Sequence, residues 1–158
     1  MRSPRVVLLT IAAVALAFRP APAQVSLTVT GAPVVIPAPA LADYNAGFVT
    51  DPTGIAWTVN VTGGASTNRT SIISIRSTSA DFGGGKSLGD LQWRRSDLAA
   101  WNSVTGVDLT IESRTIRKNG INDPWSNSIF FRSLLSWTAD PPGVHSANLV
   151  ITLTVTTP

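Results

Sequence analysis

The 158-residue chain contains no cysteine, one histidine and one methionine. Without cysteine no disulfide staples the domain, so its stability has to come from a buried core. One imidazole and no thiolate fall short of the usual zinc ligand set. His145 is also the sole imidazole base for a nucleophile, but it follows Pro141-Pro142-Gly143 at the start of a strand pattern, and no Gly-x-Ser-x-Gly elbow occurs. It reads as a polar residue at a strand end, and no catalytic residue is assigned.

Acidic residues are almost as sparse. The only glutamate, Glu112, shares the outward face of an alternating strand with Asp108. That placement suits solvated partners for arginine across a sheet better than the paired carboxylates of a glycosidase cleft. Asp43, Asp51, Asp81, Asp90 and Asp123 sit in turn-like segments without a spaced Asp/Asn/Gly loop motif. Their oxygens leave calcium open, and no metal site is assigned. Gly83-Gly84-Gly85-Lys86-Ser87 lacks the first glycine of a phosphate-binding loop, Ala80 standing in its place, and no helix pattern follows. It reads as a flexible hairpin loop, and no cofactor is implied.

The formal net charge of +3 belongs to the amino-terminal end: Arg2, Arg5 and Arg19 lie within residues 1–23, and residues 24–158 carry nine basic and nine acidic side chains. A neutral chain lacks the Lys/Arg surplus that drives binding to nucleic acid or to an anionic membrane. Residues 1–23 have the form of a secretory signal peptide, with a basic start, a largely apolar run from Val6 to Phe18, and Ala21-Pro22-Ala23 before Gln24. That run is shorter than the roughly 20 residues that span a bilayer, and no later segment is longer, so no membrane span is expected in residues 24–158. The expectation is an exported protein, extracellular, at the cell surface or periplasmic, with residues 24–158 forming one domain.

What the chain has in abundance is Val, Ile and Thr, 39 of them in residues 24–158 against two Lys, two Gln and the one Glu. With Gly, Pro, Asn and Asp punctuating them, these favour an all-β fold, an immunoglobulin-like antiparallel β-sandwich of about seven to nine strands. Val25–Thr30 alternates, placing Val25, Leu27 and Val29 on one face. Short strands are expected at Val34–Ile36 and Tyr44–Thr50. Ile55–Thr62 directs Ile55, Trp57, Val59 and Val61 inward and ends at Gly63-Gly64. Thr70–Ser77 follows, then a hairpin of Leu88–Arg95 and Ala99–Val104, then Val107–Glu112. Arg114 to Asn127 reads as a polar connection with an Asn119-Gly120 turn. Ser128–Trp137 is apolar on both faces, and His145–Thr156 turns Ala147, Leu149, Ile151, Leu153 and Val155 inward.

Five tryptophans are the remaining resource. Trp57 and Trp137 are in phase with apolar neighbours and are expected in the core. Trp93, Trp101 and Trp125 lie near hairpins or loops, with Arg94, Arg95, Arg114, Arg117 and Lys118 close in sequence. They are either a stacking platform for sugar rings or a protein partner, or caps on the ends of the sandwich.

The segment from Pro142-Gly143-Val144-His145 to Thr154-Val155-Thr156 resembles the last strand of bacterial secreted sandwich domains related to spore coat protein U and fimbrial subunits. In those domains a Pro-Gly, a Tyr-like position and a long Thr/Val alternation close the chain, and His145 stands here in place of the Tyr. Val25–Ala32 and the hairpin from Leu91-Gln92-Trp93 to Trp101 are similar to the same group, whereas many fimbrial subunits carry the cysteines this chain lacks. The resemblance implies a non-catalytic surface or extracellular structural role, through self-association or association with other surface-structure subunits. Strand addition is then the expected mechanism, with Val25, Leu27 and Val29 on the donor strand and Phe130 and Leu134 in a lateral apolar contact. A carbohydrate-binding or adhesin module using Trp93, Trp101 and Trp125 on a polysaccharide is the alternative. On the donor reading, deleting Val25–Thr30 abolishes assembly and leaves a folded monomer, as sedimentation and circular dichroism of the variant would show.

Overall fold

The computed structural model describes residues 7–13, 25–62, 67–140 and 143–156; the Gly63-Gly64 turn, Pro141-Pro142 and the two ends of the expected signal lie outside them. The fold is an all-β sandwich of two sheets. The strands are β1 (Val7–Ala13), β2 (Val25–Thr30), β3 (Val34–Ile36), β4 (Phe48–Thr50), β5 (Ile55–Val61), β6 (Arg69–Ser77), β7 (Leu91–Arg95), β8 (Asn102–Ser103), β9 (Leu109–Ile116), β10 (Trp125–Leu134) and β11 (Asn148–Thr156). One sheet runs β3-β1-β11-β6-β9, the other β2-β5-β10-β7-β8 with β4 also paired to β10. The strand count exceeds the expected seven to nine because β1 and the short β3, β4 and β8 all pair.

Period-two alternation builds the middle of both sheets. In β5 the side chains of Ile55, Trp57, Val59 and Val61 are buried in strict alternation, as expected from the sequence. β10 pairs with β5 on one side and β7 on the other, and directs Trp125, Ile129 and Phe131 inward. β11 and β6 pair antiparallel from Leu149↔Ser77 to Thr156↔Thr70. Ile73, Ile75, Leu149 and Ile151 are fully buried there and face the inner side chains of the other sheet. Truncating any one of them to Ala leaves a cavity, which typically costs about 2–5 kcal/mol.

The expected polar connection from Arg114 to Asn127 is shorter than read, since β9 runs on to Ile116 and β10 begins at Trp125, and the sequence pattern fails outright in four places. Residues expected as strand from Tyr44 begin instead with a short helix, α1 (Leu41–Ala46), because the Asp43 carboxylate accepts the Ala40 N–H at 2.7 Å and Gly47, at φ 79°, stops the helix in a left-handed turn. Trp137 is not in the core: β10 ends at Leu134, the chain turns, and the indole is 61% exposed with its ring 4.6 Å from that of Tyr44. The triple glycine forms a closed turn, not an open hairpin loop. Phe82 N–H donates to Lys86 O at 2.9 Å, the Phe82 ring is buried, and Lys86 is buried in ion pairs with Asp140 and, at 3.6 Å, Asp90. His145 closes over that turn, its Nδ1 2.9 Å from Gly83 O.

The fourth failure is a β-bulge. Along the β6–β9 ladder Ile73 faces Glu112 but Ser74 faces Thr110, so Ile111 is an extra residue. Its insertion reverses the phase of β9, and Ile111 and Glu112 are buried in succession. Glu112 is therefore not a solvated outward carboxylate. It accepts from Arg114 Nε at 2.6 Å and Asn127 Nδ2 at 3.1 Å, with Arg95 Nη1 at 3.8 Å. Asp108 stays exposed, 3.6 Å from Arg76. Glu112→Ala strands the facing guanidinium and amide and is expected to cost about 3 kcal/mol in urea unfolding. Arg114→Ala, removing a partly exposed partner, is expected to cost less.

Candidate functional site: the strand slot between β3 and β11

β3 is three residues long because Pro33 and Pro37 bound it, and proline has no N–H for a ladder. Among the described residues its only sheet partner is β1, with Val7↔Ile36, Leu8↔Val35 and Leu9↔Val34 antiparallel. β1 then passes to β11, pairing parallel as Thr10↔Asn148, Ile11↔Leu149, Ala12↔Val150 and Ala13↔Ile151. One segment thus bridges two strands that do not reach each other. Val34, Ile36, Leu149, Val150 and Ile151 line this slot and are buried. The flanking strands present their backbone N–H and C=O groups to β1, and an open sheet edge of this kind is a template for pairing with an extended strand. The segment that fills it lies within the apolar run that the sequence assigns to a leader.

The expected donor strand lies elsewhere. β2 is laddered along its whole length to β5, from Val25↔Val61 to Thr30↔Ala56, and Val25, Leu27 and Val29 pack on the core. It is the edge of the chain's own sheet, not a spare segment, and deleting it would uncover β5. The folded monomer expected of that deletion is therefore corrected to a destabilised one. Phe130 and Leu134 do share the outer face of β10, but they do not make a continuous apolar contact. Arg132 stands between them, Phe130 lies opposite Arg94 across the ladder, and Leu134 borders a hollow of about 460 Å³ beside Lys86 and Asp140.

The three candidate stacking tryptophans separate in the same way. Trp93 and Trp125 are each 3% exposed, and Trp125 packs edge-on against Trp57 at 4.7 Å between ring centroids. Both belong to the core because their positions are in phase with Leu91 and Ile129, so neither can stack a ligand. Only Trp101 remains on the surface, half-buried. The Arg132 guanidinium lies 4.5 Å and that of Arg94 5.1 Å from its ring centroid. The five aspartates considered for calcium stay apart. Asp51, for one, is buried and spends its carboxylate on the N–H groups of Thr53 and Gly54, at 2.9 and 2.6 Å. No group of three or more metal-ligating side chains forms among the described residues.

No protein-family model matches the chain, and no curated protein matches it. The geometry alone has to carry the functional reading. Two of its elements escaped the sequence. The strand role of Val7–Ala13 was hidden because an apolar leader and a buried strand share one composition. The pairing of Arg94 with Arg132 was hidden because only the β7–β10 register brings them to one face.

Next to that face the Arg95–Asp97 pair is a local electrostatic reporter. The guanidinium of Arg95 donates to both Asp97 oxygens, at 2.8 and 2.5 Å, and holds the carboxyl down at about 2. A depressed folded value means that the pair's contribution is present at neutral pH and is lost only as pH falls through about 2. An NMR titration should place the Asp97 midpoint there, and Arg95→Gln should move it up toward 3.8.

Proposed function

We propose that this chain is a secreted, non-catalytic structural subunit of a cell-surface or extracellular assembly, fimbria- or coat-like, joined to its neighbours through β-strand edges. The observation that carries the reading is that Val7–Ala13, inside the segment expected to be removed on export, occupies the slot between β3 and β11. Removal of residues 1–23 takes that strand away and leaves β3 without a sheet partner and the Asn148–Ile151 edge of β11 unpaired. A strand from a neighbouring subunit restores both ladders through backbone hydrogen bonds, with alternate side chains meeting the buried wall of Val34, Ile36, Leu149 and Ile151. β2, at the edge of the opposite sheet, offers a second unpaired ladder among the described residues.

The test is to prepare residues 24–158 and add a synthetic Val7–Ala13 peptide. The peptide is expected to suppress self-association in sedimentation and to raise the melting temperature, since a ligand of the native state alone stabilises it. A scrambled peptide should do neither. A monomer of residues 24–158 that is stable and indifferent to the peptide contradicts the reading.

A second reading, a carbohydrate-binding or adhesin module, retains one of its three tryptophans, Trp101, and its placement between two arginines favours a particular kind of ligand.

A further inference from the structure

The outer face of the β4–β10–β7 strands carries two arginines that no acid neutralises. Arg76, Arg95, Arg114 and Lys86 each sit against a carboxylate. Arg94 and Arg132 have none within ion-pair distance among the described residues. Arg132 Nε donates to Gln92 at 2.8 Å and Arg94 Nη1 to the Leu98 carbonyl at 2.9 Å. The other Arg132 nitrogens have no hydrogen-bond acceptor among the described residues, and Arg94 Nε is buried without one. What surrounds the guanidiniums is aromatic. Arg132 lies 4.9 Å from the Phe48 ring centroid and 4.5 Å from that of Trp101; Arg94 lies 5.1 Å from Trp101 and 5.7 Å from Phe130. Cation and ring alternate across the face in the order Phe48, Arg132, Trp101, Arg94, Phe130.

The two guanidiniums share Trp101, whose ring attracts both, but no anion among the described residues compensates their charge. Partial burial, and then the charge of Arg94, hold Arg132 below the ordinary arginine range. An anion bridging them at the surface would offset the like charge, and a guanidinium donates to a carboxylate through two parallel N–H bonds. Phe48, 37% exposed, and the half-buried Trp101 add flat apolar surface of the kind that meets the C–H face of a sugar ring. Two guanidiniums on a chain whose residues 24–158 are formally neutral are too few to hold a nucleic-acid backbone.

We propose that this face binds a carboxylate-bearing polysaccharide, with Arg94 and Arg132 taking a uronate carboxylate and Trp101 and Phe48 the sugar rings. The proposal deepens the carbohydrate-binding reading and is independent of strand addition at the slot on the other sheet. It assigns the affinity to the register of β7 against β10, which sets Phe130 opposite Arg94 and Arg132 opposite Gln92.

The experiment is calorimetric titration of the full chain with polygalacturonate, its methyl ester and poly-L-glutamate, followed in parallel by tryptophan emission. Polygalacturonate is expected to bind, more weakly as salt is added, and to perturb the emission of Trp101. Arg94→Gln and Arg132→Gln are each expected to weaken binding about tenfold, the loss of one charge-assisted contact. Arg117→Gln, an exposed arginine off this face, should have no effect. Arg132→Lys keeps the charge but not the fork and should also weaken binding, which guards against misfolding of the glutamine variants. Equal binding of the methyl ester overturns the anion site while leaving a carbohydrate module standing. Binding of poly-L-glutamate as tight as that of polygalacturonate overturns the glycan in favour of an acidic protein partner. Unchanged binding by all three variants overturns the site, and no binding of either glycan removes the carbohydrate reading with it.

Discussion

Everything in this fold leans on the edge of β11. That strand carries Leu149 and Ile151 at the centre of the core and is bound along its length to β6, so its position is not negotiable. On its opposite edge Leu149, Val150 and Ile151 are buried with β1 in place while Asn148 is exposed, and a peptide group buried without a hydrogen bond is expensive. The only strand of the five-stranded sheet left to cover it by continuity, β3, is held to three residues by prolines and stops short. A separate strand, β1, fills the gap between β3 and β11.

In the structure the missing piece comes from residues 7–13 of the same chain. Backbone pairing on both sides fixes the strand, and such pairing asks for an extended segment rather than for particular side chains. An export leader and a subunit-joining strand meet that demand with the same composition. This is the physical reason a segment that reads as a signal can stand where a neighbour's strand would stand after cleavage.

The sandwich itself was legible in the sequence wherever one face of a strand is wet. β5 is the clearest case, its inward residues readable from alternation alone, and β2 follows the same rule, whereas β6 and β11 also bury Ser74 and Val150 out of phase. Legibility fails where a local event overrides period two. The bulge at Ile111 turns Glu112 inward, and the Asp43 cap with Gly47 converts the start of an expected strand into a helix. The slot and the arginine face were less legible still. Proximity in sequence grouped Trp93 and Trp125 with the basic residues, whereas strand phase buries both and leaves Trp101 alone outside. The pairing of Arg94 and Arg132 depends on cross-strand register, which no single segment encodes.

The slot and the arginine face lie on different sheets, so a subunit joined through one keeps the other open to a ligand. The measurement that bears most directly on the central claim is hydrogen exchange at Asn148–Ile151 in the protein recovered from producing cells, whose amino terminus is first fixed by mass. With residues 1–23 gone, these amides should be protected in the assembled form and become exposed on dilution to monomer. A dilute monomer lacking residues 1–23 that keeps them protected would contradict the account, because the edge of β11 would then need no strand from a neighbour.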